Sequence, residues 1–166
     1  MAILGSKWAI AVLVFTVAII VLFLIGKKSV RSEVSIEASE QEIWFALTEM
    51  KQIKAWNKVL VPVEGEMTAG GIIKYEFYQE ENGKAAVMDA NVKQLITNKI
   101  INQTGGIPGI LTFDHKYIIN QSTVAIDEQY RGIMVPFWNP APVEKAYERL
   151  LLQLKKHIEN GRSNSH

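Results

Sequence analysis

Val34-Ser35-Ile36-Glu37-Ala38-Ser39-Glu40-Gln41-Glu42-Ile43-Trp44 changes its hydrophobic period midway. Val34 and Ile36 alternate with polar neighbours, the pattern of a half-buried strand. Ser39 with Glu42 three residues on is a capping box, each side chain able to hold a backbone N–H at a helix start. Ile43, Ala46, Leu47 and Met50 then recur at i, i+3, i+4 and i+7, so a helix follows with one apolar stripe. A second short helix is predicted to end near Trp56-Asn57.

Downstream the period becomes two. Val59, Val61 and Val63 alternate up to Gly65, and Ile73, Tyr75 and Phe77 share one strand face. Asn82-Gly83 reads as a hairpin turn, because both residues tolerate positive φ. Met88, Ala90 and Val92 form the answering face. A strand around Asn98–Gln103 leads into Gly105-Gly106-Ile107-Pro108-Gly109, a loop by composition. Leu111, Phe113, His115, Tyr117 and Ile119 line the next strand, and Val124, Ile126, Glu128 and Tyr130 the last. Asn139 is then a good N-cap with Pro140 after it. Val143, Tyr147, Leu150, Leu151, Leu154 and Ile158 make one continuous apolar helix face, with Gly161 as its expected stop.

The predicted order is a strand, two short helices, about six antiparallel strands and one long helix. A sheet of this kind has one apolar face, and the final helix is the element long enough to cover it. Several segments carry a family resemblance. Val34–Trp44 resembles the first strand, small-residue turn and opening helix of the START/polyketide-cyclase-like superfamily, often called SRPBCC. Ala55-Trp56-Asn57 resembles the Trp-Asn that ends its second helix. Val63-Glu64-Gly65 with Gly70-Gly71 resembles its second and third strands, and Leu95–Ile101 the approach to its fifth. Where that family often has Pro in the small-residue turn, this chain has Ser39, which improves the helix cap. The resemblance implies an α+β helix-grip fold over residues 32–160, a curved sheet around the C-terminal helix. It also implies a cavity for a hydrophobic small molecule or lipid, and among some relatives cyclase or dehydratase chemistry.

Upstream, Trp8 to Gly26 is a run of 19 residues without a charge. As a helix it spans close to the roughly 30 Å of a bilayer's hydrocarbon core. A retained membrane helix over 8–26 is expected in preference to a signal peptide, because the stretch is long and no small-x-small site follows it. A short tail (1–7) and a basic juxtamembrane linker (27–31) flank it. Lys27, Lys28 and Arg31 place the soluble domain on the cytoplasmic side by the positive-inside rule. Residues 161–166 read as a disordered tail. The partners expected are therefore the membrane and an apolar small molecule or lipid.

Residues 32–160 carry 13 basic and 17 acidic side chains, which argues against nucleic acid as a partner. Three histidines without ligand spacing and no cysteine argue against a metal. No phosphate loop, dinucleotide fingerprint or nucleophile elbow is present, so no cofactor is expected. The expected ligand-binding residues are Trp56, Tyr75, Phe77, Met88, Phe113, His115, Tyr117, Glu128, Tyr130, Trp138, Tyr147 and Leu151. The strand residues among them have inward parity, and each of the apolar ones could equally be filling a core. His115 and Glu128 stand out as polar groups on apolar faces. Depending on hairpin register they are directly opposed or diagonal, able to fix a ligand's polar end or to act as acid and base. A third possibility is an interaction module whose cavity is vestigial.

Overall fold

The computed structural model describes residues 2–163. The chain runs α1 (Ala2–Ile25), β1 (Lys27–Ser35), α2 (Glu40–Thr48), α3 (Met50–Trp56), β2 (Leu60–Gly65), β3 (Ile72–Phe77), β4 (Ala86–Ile96), β5 (Ile100–Ile107), β6 (Leu111–Asn120), β7 (Thr123–Arg131), a 3₁₀ turn (Val135–Phe137) and α4 (Ala141–Ser163). The strands form one antiparallel sheet in the order β1-β7-β6-β5-β4-β3-β2. Because β1 and β2 lie on opposite edges, α2 and α3 carry the chain from one edge to the other.

Local chemistry sets that crossing. Ser39 Oγ accepts from the Glu42 N–H at 3.2 Å, and Glu42 Oε2 accepts from the Ser39 N–H at 2.8 Å. The capping box therefore starts α2 where the sequence places it. Trp56 Nε1 donates to the Ala46 carbonyl at 3.0 Å and locks α3 onto α2. Buried Asn57 accepts from the N–H groups of Val59 and Leu60 at 3.0 and 2.8 Å, turning the chain into β2. Val143, Ala146, Tyr147, Leu150, Leu151, Leu154 and Ile158 of α4 are all buried against the sheet's inner face.

Several boundaries differ from the sequence reading. Residues 27–31 are strand rather than linker: Lys27 to Ser35 pair in register with Arg131 to Thr123. Their charges concealed an alternation in which Val30 and Ser32 are buried while Lys27, Ser29 and Arg31 face out. Among the described residues α1 begins at Ala2, so residues 2–7 of the expected tail are helical. Trp8 and most of the apolar residues after it are exposed, so α1 is long and apolar enough to cross a membrane and is not a core helix. In β2 the inward residues are Leu60 and Pro62, with a bulge between Pro62 and Glu64, so Val61 and Val63 do not face the core. Asn82-Gly83 lies in a longer loop without positive φ. Among the described non-glycine residues, left-handed backbone occurs instead at Asn98 (φ 60°) and Gln121 (φ 54°), in the β4–β5 and β6–β7 turns.

Gly105 and Gly106 belong to β5, not to a loop. The Phe113 ring of β6 lies over Gly105, where a Cβ would stand 2.5 Å from the ring and 2.4 Å from the Asp89 carbonyl oxygen. The glycine is thus a packing requirement of the sheet's bend. Gly161 does not stop α4, which reaches Ser163. Glu159 accepts from the Glu37 N–H at 3.1 Å, while Arg162 donates to the Glu37 carbonyl and pairs with Glu42 at 3.5 Å. These tethers hold the last turn against the β1–α2 turn. The remainder of the expected tail, 164–166, lies outside the described residues.

Gly105→Val should lower the stability of the full chain by about 2 kcal/mol or more, because an overpacked core must displace the Phe113 ring or the β4 backbone. Thermal unfolding in detergent reads this directly. An unchanged midpoint would mean the bend does not depend on that contact.

Candidate functional site

β6 and β7 pair so that His115 stands directly opposite Glu128. Both face the interior, and both side chains are nearly inaccessible, at 3% and 2%. His115 Nδ1 lies 3.3 Å from Glu128 Oε2, and the Tyr147 hydroxyl from α4 donates to the same oxygen. The His115 ring packs edge-on to Tyr117, with centroids 4.8 Å apart, and to Tyr147, at 5.2 Å. The carboxylate fixes the Nδ1 side of the ring as the side that donates, which turns Nε2 away from Glu128. Among the described residues Nε2 is the one buried side-chain polar atom without a hydrogen-bond partner.

The next strand extends the polar line. Gln103 of β5 stands opposite His115 and donates to the Tyr75 hydroxyl at 2.9 Å. Gln103 was not among the expected site residues, although its two-residue spacing from inward Ile101 is a signal that parity alone could have carried. Burial pushes the Tyr75 phenol up to about 12, partly offset by the Gln103 hydrogen bond. Tyr117, Tyr130 and Tyr147 are raised as well. Burial is the first cause in each, followed by the Glu128 carboxylate for Tyr130 and Tyr147, and by Tyr75 and then Glu128 for Tyr117. These phenols therefore remain neutral hydrogen-bond donors.

The interior brings together Tyr75, Phe113, His115, Tyr117, Glu128, Tyr130, Tyr147 and Leu151, each at most 7% exposed and packed against the others. Phe77, Met88 and Trp138 are only partly buried and rim the same cluster. Phe77 approaches Tyr147 at 6.1 Å, and Trp138 approaches Tyr130 at 4.4 Å. Trp56 lies apart, in the α2–α3 corner, where its indole bonds Ala46 and its burial belongs to helix packing. Among the described residues no group of three or more His, Cys, Asp or Glu is arranged to hold a metal ion.

Solved structures share this architecture at low sequence identity. A Chromobacterium violaceum protein matches with a TM-score of 0.62 and 16% identity, covering 79% of this chain and 97% of its own. Ginseng major latex-like protein 151 from Panax ginseng matches at 0.59 and 11%, covering 81% and 97%. The AHSA1-like protein from Aeromonas hydrophila matches at 0.56 and 12%, covering 81% and 94%. No family model matches the sequence, and no curated protein matches it. The structural likeness establishes the helix-grip fold.

Buried phenols make stability pH-dependent at the alkaline end. Between the ordinary value of 10.0 and about 12, Tyr75 keeps its proton in the folded chain and loses it in the unfolded one. The unfolded state then binds fewer protons, so stability falls as pH rises, by up to about 1.4 kcal/mol per unit for each such tyrosine. Melting temperatures measured from pH 9.5 to 12 should drop steeply, and Tyr75→Phe should flatten the slope. Equal slopes for the two proteins would contradict the assignment.

Proposed function

We propose that this chain is a membrane-tethered helix-grip protein of the SRPBCC kind. In this reading it binds a hydrophobic molecule between the sheet and α4 and holds that molecule's polar group at His115. The observation that carries the reading is the unpartnered Nε2. A buried polar atom without a partner costs about 1–3 kcal/mol, and a core built only for stability gains nothing by keeping it. With Nδ1 committed to Glu128, Nε2 is the ring atom left to bond a ligand, and a hydroxyl fits it because a hydroxyl can both donate and accept. The aromatic side chains around His115 and Glu128 are buried and packed together, and admission would run past the partly exposed rim of Phe77, Met88 and Trp138. Tethering by α1 suits such a ligand, which would reach the domain from the bilayer. The basic residues after α1 favour a cytoplasmic domain, which a reporter fused to the C-terminus would test.

The full chain, purified and extracted into organic solvent, should release an apolar compound detectable by mass spectrometry. His115→Leu, similar in size and unable to accept a hydrogen bond, should retain at least about tenfold less, the equivalent of roughly 1.4 kcal/mol. An empty wild-type protein, or equal retention by the two, would end the proposal.

A second reading rests on the same pair. A histidine oriented through Nδ1 by a carboxylate, with Nε2 free, is also the arrangement of a general base, which suits a cyclase or dehydratase. Here Glu128→Gln should retain a compound that differs in mass from the one bound by the wild type, by a water in the dehydratase case. The same compound on both proteins would favour binding alone.

A further inference from the structure

We propose that the domain enters the membrane a second time, beside α1, through an uncharged lip formed by the β5–β6 hairpin tip and the segment around the 3₁₀ turn. This rests on α1 being a retained membrane helix. Only Gly26 separates Ile25, the last residue of α1, from Lys27, the first of β1. The junction is tight as well as short. Gly132 donates its N–H to the Gly26 carbonyl at 3.0 Å, and a Cβ on Gly26 would stand 2.1 Å from the Gly132 oxygen. A domain joined this way lies against the bilayer surface rather than swinging on a linker.

The depth of the lip follows from what it flanks. Ile19, Ile20, Phe23 and Leu24 of α1 share one apolar crevice with Pro108, Gly109, Ile110 and Ile133. At 1.5 Å per residue, Ile19 is about 9 Å along the helix axis from Ile25. A hairpin tip beside Ile19 and Ile20 is therefore below the level at which α1 leaves the hydrocarbon. The exposed side chains are the ones such a position needs: Ile107 at 61%, Ile110 at 44%, Met134 at 49% and Phe137 at 72%. No charged residue occurs in 105–110 or in 132–138.

Two further features single out a bilayer as the occupant rather than a protein. Backbone in an apolar phase must satisfy its polar groups internally, and the lip's groups are extensively paired. Ile110 donates to the Ile107 carbonyl at 3.1 Å, Ile133 to Gly109 at 3.1 Å, Met134 to Ile110 at 3.1 Å and Phe137 to Met134 at 3.2 Å. Charge then marks the surface. Lys27 and Arg131, cross-strand partners and both exposed, stand where α1 ends, at headgroup height, where anionic lipid attracts them. At the same sheet end the β3–β4 loop carries Glu80 and Glu81, which hold it in water and bound the lip on that side. Phe137 precedes Trp138, the rim residue whose ring lies 4.4 Å from that of Tyr130, so the lip places this part of the rim next to the lipid.

The chain has no cysteine, so single spin labels can be placed on the full protein in liposomes of phosphatidylcholine and phosphatidylglycerol. Ile110→Cys and Phe137→Cys report the lip, Val14→Cys the middle of α1, and Ser122→Cys the opposite sheet end. Collision with oxygen against a water-soluble nickel chelate reads depth. Labels at 14, 110 and 137 should be lipid-like and the label at 122 water-like. If 14 is lipid-like while 110 and 137 match 122, the lip is wrong and the anchor stands. If 14 is also water-like, or α1 is missing from the intact mass, the anchor reading fails and the lip with it.

Discussion

An antiparallel sheet with one apolar face needs a cover, and in this chain α4 supplies it. The sheet bends around that helix through bulges between Pro62 and Glu64 and between Val92 and Gln94, and through the seat that Gly105 leaves for the Phe113 ring. The helix in turn is held beyond its core stripe. Arg149 donates to the carbonyls of Tyr78 and Gln79, and Lys155 to that of Ser35, so α4 is tied to both sides of the sheet. Loss of the helix would open the part of the inner face that it covers, where Tyr147 meets His115 and Glu128, to water.

The same packing gives the buried pair its character. Tyr147 belongs to the apolar stripe of α4 and carries a hydroxyl that reaches Glu128. One residue thus closes the core and completes the polar network. Tyr130, Tyr117 and Tyr75 surround that network with phenols kept neutral by burial. Leaving a charged or polar group in such surroundings without a hydrogen bond is costly, which is why His115 Nε2, the one buried side-chain polar atom without a partner among the described residues, is the feature from which a functional reading starts.

The attachment of α1 is the other constraint. Gly26 allows a helix suited to lipid and a strand suited to water to meet within one residue, and it can do so only because no side chain stands against Gly132. Lys28 reinforces the meeting by donating to the Pro136 and Trp138 carbonyls, which joins β1 to the approach of α4. That short junction couples the direction of α1 to the edge of the sheet.

Much of this was legible in the residues alone. The change from period two to period 3.6 at Ser39, the inward parity of Phe113, His115, Tyr117, Glu128 and Tyr130, and the stripe of α4 are properties of local spacing, which a linear sequence states directly. So is the uncharged length of α1. Charge obscured the strand at Lys27–Ser35, and glycine suggested a loop at 105–109 and a stop at 161, because propensity speaks for a residue without its neighbours. What only the tertiary structure decided is relative placement: that His115 is opposite Glu128 rather than diagonal to it, that Tyr147 and not another residue of α4 reaches the carboxylate, and that the β5–β6 tip stands beside Ile19. Register, helix docking and the approach of loops depend on contacts between residues far apart in the chain, and a pattern of period two or 3.6 contains no information about which distant residue it will meet.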